Sequence, residues 1–185
     1  ALEVLGGLVD PRTANDAVLA QQPFSGLSTF YGYYVLQARA RAGDIKGCLD
    51  VIRTYWGAML DAGATTFWED FDLEWVRNAN RIDELPVPGK DDLHADFGNY
   101  CYRGLRHSLC HGWAGGPTAW LTEHVLGLKP LAPGCVQMAV DPHLGDLAWV
   151  EGALPTPHGV ITVSHRQQAN GTIETDIDCP QGIEV

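Results

Sequence analysis

A six-residue stretch, Lys129-Pro-Leu-Ala-Pro-Gly134, divides this chain into two kinds of sequence. Before it, apolar residues recur every three or four positions, and glycines fall where helices should stop. After it, apolar and polar residues alternate, which is the period of a half-buried strand. Two prolines and a glycine cannot carry a helix onward, so the helical pattern has to end there. The expected fold class is mostly α followed by β, with residues 1–128 helical and residues 129–185 a small antiparallel β domain.

Local signals place the helices. Asp10-Pro11 reads as an N-cap followed by proline at the first helical position, opening a helix toward Ala20. A second helix starts near Ser28, carries Phe30, Tyr31, Tyr34, Val35 and Ala38, and stops at Gly43. Asp44 caps a third, with Cys48, Val51, Ile52, Tyr55 and Met59 on its apolar side and Gly63 as its terminator. Only Ala42-Gly43-Asp44 joins these two, so they must fold back as a tight antiparallel hairpin. A last helix is expected from about Gly115 to Leu126, with Trp120, Leu121 and Val125 facing a core and Gly127 closing it.

Beyond the proline-rich turn, residues 136–140, 147–154, 159–167 and 172–178 read as strands separated by turn residues. Ile161, Val163 and His165 alternate with Thr162, Ser164 and Arg166, and Ala169-Asn170-Gly171 marks a hairpin turn. Four short strands suggest part of a β-sandwich. A sheet this small either packs on the helical part or is cut short.

The chemistry concentrates in Gly63-Ala-Thr-Thr-Phe-Trp-Glu-Asp-Phe-Asp72. There Glu69, Asp70, Asp72 and Glu74 stand beside Phe67, Trp68 and Phe71, just after a helix has run out. Flat rings can cover the C–H faces of a sugar, while a carboxylate accepts hydroxyl hydrogen bonds or takes a proton from water. The plainer alternative is an acidic loop with Trp68 and Phe71 tucked beneath it, and on these residues alone the plainer one leads. Residues 64–112 are irregular, broken by Pro86, Pro88 and Gly89, and a loop-rich insertion of that length is more often functional than idle.

Composition closes off other classes. The net charge of −11 leaves no basic stripe for phosphates, which argues against nucleic acid and anionic membrane surfaces. No apolar run is long enough to span a bilayer. The chain opens with Ala1 rather than Met, so the missing signal-peptide pattern carries no weight, and a secreted or periplasmic setting is placed ahead of a cytoplasmic one. Five cysteines (Cys48, Cys101, Cys110, Cys135, Cys179) at these spacings fit neither a zinc motif nor a redox pair, so buried free thiols are expected.

Each remaining candidate has a plain reading. His107 and His111 are four apart, but no third ligand supports zinc, and no EF-hand spacing supports calcium at Asp91-Asp92 or Asp141. No metal or cofactor is expected. Cys110 and His111 are adjacent, so their side chains should diverge on extended chain and not form a nucleophile–base pair. Glu123 and His124 read as a solvated helix face, and His158 as a turn residue. Trp113 and Trp120 are more often core than sugar platform, although Trp113 lies near the motif. Asp72 is expected to support the Trp68-Glu69 loop through backbone hydrogen bonds.

Residues 63–72 resemble the Gly-Ala-Thr-Thr-x-Trp-Glu-x-x-Asp signature of bacterial α-L-rhamnosidases, six-hairpin glycosidases of glycoside hydrolase family 78. Ser108-Leu-Cys-His111, followed by Gly115-Gly-Pro-Thr-Ala-Trp-Leu121, looks like that family's Ser-x-Asn-His segment and following helix. Residues 147–163, with Pro-Thr-Pro-His-Gly159 leading into a strand, are similar to its C-terminal β-domain. The resemblance covers essentially the whole chain. It implies the last helical hairpins of an (α/α)6 barrel joined to a small antiparallel β-sandwich. It also implies an inverting hydrolase of terminal α-L-rhamnosyl residues, with Glu69 as general base, His111 beside it at the sugar and Trp68 lining or supporting the pocket; Trp113, near the motif, is taken as a further sugar-binding candidate. The family's general acid lies on an earlier loop, so the rest of the protein is an expected partner and residues 1–185 alone should be inactive.

The sequence departs from the pattern at Asp70 and Phe71, where a basic residue and a tryptophan are usual. Cys110 replaces asparagine, and Gly112-Trp113 replaces Tyr-Ala. These changes surround the sugar-contacting positions. Two alternatives therefore stand beside the rhamnosidase reading: a non-catalytic carbohydrate-binding protein on the same barrel, and a six-hairpin glycosidase for another sugar.

Overall fold

The computed structural model describes residues 1–93 and 108–185. His107 and Cys101, and the stretch of the long loop around them, lie outside the described residues. Two compact units are present, Ala1–Pro117 and Thr118–Val185. Helices dominate the first and antiparallel sheets the second, in the order the hydrophobic periodicity implies.

The first unit begins with α1 (Leu2–Leu5) and α2 (Pro11–Ala14), the latter continued by a π-helical turn, Asn15–Leu19. The Asp10 carboxylate caps α2 as expected, accepting from Thr13 N at 2.8 Å. Next comes α3 (Tyr31–Arg41). Near its end Arg41 Nη1 donates to the Leu5 carbonyl at 3.0 Å, tying the helix to α1. The hairpin partner runs as α4 (Ile45–Val51), a π-helical turn (Ile52–Trp56) and α5 (Gly57–Asp61). Consecutive aromatics Tyr55 and Trp56 are both buried within that wider turn. Tyr55 packs edge-to-face on Phe71 with centroids 5.2 Å apart. Trp56 runs so close to Gly32 on α3 that a Cβ there would sit 2.5 Å from the indole ring. Glycine at position 32 is thus what lets the two helices approach.

The α3–α4 corner is locked electrostatically. Asp44 Oδ1 accepts from Gly47 N at 3.0 Å, capping α4, while Oδ2 takes Arg39 Nε at 2.9 Å and Nη2 at 2.6 Å. Arg39 is only 4% exposed, so its charge depends on that carboxylate. One side chain both starts a helix and neutralises a buried guanidinium.

The second unit takes in the end of the last helix, α6 (Gly116–Trp120) followed by a π-helical turn (Leu121–Val125). Gly127 closes it at φ +71°, and an added Cβ would lie 2.3 Å from the Asp141 carbonyl carbon. Strands β1 (Leu128–Pro130) and β2 (Met138–Val140) pair antiparallel. A three-stranded antiparallel sheet follows in the order β3 (Trp149–Thr156), β4 (Gly159–Gln167), β5 (Ile173–Asp178). Leu128, Met138, Ile161 and Val163 form its buried cluster. His165 is also fully buried, its ring nitrogens at 2.8 Å from Thr175 Oγ1 and 3.1 Å from the Leu126 carbonyl. The carbonyl can only accept, so Nε2 donates to it, while the threonine hydroxyl can serve Nδ1 in either role.

Four sequence expectations need correction, the first being the buried thiols: of the described cysteines Cys48 is buried, Cys135 and Cys179 are half-buried and Cys110 is exposed. Lys129 and Pro130, taken as part of a turn, form β1, where proline is tolerated at a strand end. The strand expected from Val136 starts at Met138, because residues 133–135 make a 3-10 turn first. His124 is not on a solvated face: its side chain is 14% exposed and lies over Trp120 with centroids 5.0 Å apart. Burial, and then the charge of Lys129, lowers its pKa from the ordinary imidazole value.

Asp44→Ala should remove the cap of α4 and strand the Arg39 charge together, costing about 3 kcal/mol or more in a urea titration. A loss below about 1 kcal/mol would mean that the corner is held by packing alone.

Candidate active site

No regular element contains residues 64–72, so their backbone groups must find partners elsewhere. They find them at alternate carbonyls. Phe67 O accepts from His111 N at 2.8 Å, Glu69 O from Thr29 Oγ1 at 2.5 Å and Trp113 Nε1 at 2.6 Å, and Phe71 O from Tyr55 Oη at 2.5 Å. Glu69 N in turn donates to Ser108 O at 2.8 Å, and Thr66 Oγ1 to the Leu109 carbonyl. The two segments that carry the acidic and histidine motifs therefore run antiparallel alongside each other.

That pairing brings Glu69 and His111 together across 42 residues of sequence. Glu69 Oε2 accepts from Ser108 N at 2.7 Å, a short charge-assisted bond, and stands 3.9 Å from His111 Nδ1. The carboxylate is 15% exposed and the imidazole 35%, so both reach solvent without lying open to it. The Trp113 ring packs on His111 with centroids 4.5 Å apart and on Phe30 at 5.4 Å. A cavity of about 350 Å³ opens here, walled by Phe30, Tyr31 and Trp113 with Glu69 and Asp70 among its lining. Aromatic faces beside two carboxylates suit a ligand with both C–H faces and hydroxyls.

The other site expectations resolve differently. Trp68, expected to line or support the pocket, is fully buried against Phe71 with centroids 5.8 Å apart. It offers no surface to a ligand and can act only from behind the loop. Asp72 does not brace the Trp68-Glu69 peptide: Oδ1 accepts from Glu74 N at 2.9 Å, turning the chain into the 3-10 helix Trp75–Arg77. Trp113 is on a separate 3-10 turn, Gly112–Ala114, ahead of the last helix. Sequence reasoning gave no role to Thr29, Phe30 and Tyr31, which it counted simply as the opening of a helix. The serine at position 28 is the sequence signal for that turn: Ser28 Oγ accepts from Tyr31 N at 3.1 Å and Ser28 O from Gly32 N at 2.8 Å, placing residues 28–30 at the mouth of α3.

Comparison with known proteins gives a consistent result. Residues 127–185 match the bacterial alpha-L-rhamnosidase C-terminal domain. An alpha-L-rhamnosidase of Alteromonas sp. (strain LOR) is 32% identical over 117 residues, 63% of this chain and 10% of that protein. The rhamnosidase of glycoside hydrolase family 78 from Bacillus sp. GL1 superposes with a TM-score of 0.69 at 28% identity, over 99% of this chain and 18% of that one. The Streptomyces avermitilis alpha-L-rhamnosidase, solved in complex with L-rhamnose, has the same TM-score at 16% identity over 98% of this chain and 17% of its own, a likeness of fold. These relatives are glycoside hydrolases. The chain matches the C-terminal part of α-L-rhamnosidases of family 78 and spans under a fifth of their length.

Tyr55 provides a stability test of the loop. Burial, reinforced by Asp70 and Asp72, pushes its phenol pKa well above the ordinary value. A raised folded pKa favours the neutral form, so this contribution is complete below about pH 10 and is lost as pH rises beyond it. Tyr55→Phe should cost about 1–2 kcal/mol at neutral pH by leaving the Phe71 carbonyl unpaired. It should also weaken the alkaline loss of stability seen in urea titrations above about pH 10. Equal alkaline loss in both proteins would assign that loss to other groups.

Proposed function

We propose that this chain is the C-terminal part of an inverting glycoside hydrolase that releases terminal α-L-rhamnosyl residues, with Glu69 as the general base. The observation that carries the reading is the Glu69 carboxylate, held by the Ser108 amide at 2.7 Å beside His111, on a residue that lines an aromatic-walled cavity. A general base has to be ionised, oriented and reachable by water. The bound amide N–H orients the carboxylate, and partial exposure leaves it open to water. The likeness to a family 78 rhamnosidase, and to one crystallised with L-rhamnose, supports the choice of sugar.

Inversion needs a second carboxyl group about 6.5–9.5 Å from the base, leaving space for the attacking water. That general acid is assigned to a part of the protein outside residues 1–185. In this reading residues 1–128 are the closing hairpins of an (α/α)6 barrel, and residues 129–185 are a β-sandwich domain. Water attacks the anomeric carbon as Glu69 takes its proton, and the distant acid protonates the departing oxygen. His111 orders the hydroxyls or the water next to the carboxylate. Trp113 covers an apolar face of the sugar, and Trp68 supports the loop from within.

A second reading, a six-hairpin glycosidase for another sugar, draws on one observation. Asp70 and Trp113, two positions that depart from the rhamnosidase pattern, both line the cavity. A change at Asp70 acts on sugar identity, whereas Trp113 also holds the Glu69 carbonyl.

In the full-length protein, Glu69→Gln should lower kcat on an aryl α-L-rhamnoside by about 10³-fold while leaving sugar binding largely in place. Retained activity would put the base elsewhere. A parent protein inactive across a panel of aryl glycosides would support the non-catalytic alternative, and activity on a different sugar would support the second reading. Residues 1–185 alone should show no turnover, and measurable hydrolysis by them would refute the remote acid.

A further inference from the structure

We propose that Thr29 is a positioning residue for the general base, sharing the Glu69 carbonyl with the indole of Trp113. The proposal rests on Glu69 being that base. Two side chains from opposite directions in the sequence, one 40 residues before and one 44 after, converge on this one oxygen, at 2.5 Å from Thr29 Oγ1 and 2.6 Å from Trp113 Nε1. Thr29 is 1% exposed, so its hydroxyl has no competing water and is committed to the contact.

What this does for the base follows from covalent geometry. The carbonyl of residue 69 is attached to the same Cα that bears the carboxylate. Holding that oxygen fixes ψ at residue 69, while the Glu69 N–H bond to Ser108 O at 2.8 Å fixes the peptide on the other side. The Ser108 amide then holds Oε2 at 2.7 Å. Glu69 is consequently pinned at its amide, its carbonyl and its carboxylate, although it sits in a loop that no helix or sheet stabilises. Catalytic placement tolerates errors well below 1 Å, and loops meet that demand only when surrounding groups lock them. The Trp113 donor also packs on His111 and lines the cavity, so a ligand that moves the indole disturbs its bond to the carbonyl. Thr29 borders the same cavity but is almost wholly buried, so it is the more shielded of the two anchors.

The test is steady-state hydrolysis of an aryl α-L-rhamnoside by the full-length protein. Thr29→Val keeps the shape and removes the donor; kcat should fall about tenfold with KM within about twofold. Thr29→Ser restores the hydroxyl and should bring kcat back to within about threefold of the parent. Should the valine variant fail to fold, Thr29→Ala compared with Thr29→Ser gives the same contrast. A valine variant with the parent's kcat, a change confined to KM, or a serine variant as impaired as valine would each overturn the proposal; the last would mean that the methyl group matters through packing. Glu69→Gln run in parallel separates the two levels. If it retains activity, the base assignment fails and the positioning role fails with it. If Glu69→Gln is dead and Thr29→Val is not impaired, only the role of Thr29 is wrong.

Discussion

Unpaired backbone is the constraint on which the helical unit depends. Residues 64–72 leave the helix at Gly63 and enter no strand, yet Trp68 and Phe71 carry the chain into the interior. A buried peptide group without a partner costs about 1–3 kcal/mol, so several along one loop would rival the whole stability of a domain. The fold meets this with side chains and with a second irregular segment. Thr29, Tyr55 and Trp113 each reach a carbonyl of the loop, and residues 108–111 supply backbone partners. The same bonds that allow the loop to be buried also aim its carboxylate.

The donors to the loop stand on the helical hairpin or next to it, which gives the α3–α4 corner its importance. Tyr55 follows α4 and Thr29 precedes α3, so their spacing depends on how closely these helices approach. Gly32 permits contact with the Trp56 ring, and Asp44 both caps α4 and neutralises Arg39. Trp56 then bonds the Ala114 carbonyl at 3.0 Å, next to Trp113. A well-packed hairpin therefore sets the positions of groups that never belong to it. This is a rigid scaffold presenting a functional loop, the usual division of labour in binding and catalytic sites.

Fold and sequence likeness agree on the C-terminal part of a family 78 α-L-rhamnosidase, and the chain spans under a fifth of such relatives. The cavity beside Glu69 is lined by three aromatic and two acidic residues, in a chain with a net charge of −11. Such a lining favours a neutral ligand over an anionic one.

Much of this could be read from residues alone. Caps and stops are local, so Asp10, Asp44, Gly43, Gly63 and Gly127 marked helix ends correctly, and period-two alternation put Ile161, Val163 and His165 on the buried face of β4. Where local signals conflicted with pairing, the reading slipped: Pro130 looked like a turn and is in a strand, and His124 looked solvated and is folded over Trp120. Sequence by itself determined the order of elements and the presence of a carboxylate and an imidazole on motifs 42 residues apart, because capping, periodicity and motif spacing act over a few residues. Only the tertiary structure decided that Trp68 faces inward, that Asp72 serves the next turn, and that Thr29 and Trp113 meet at one carbonyl. Those outcomes depend on which distant backbone groups need partners once the chain is packed, and no short stretch of sequence carries that information.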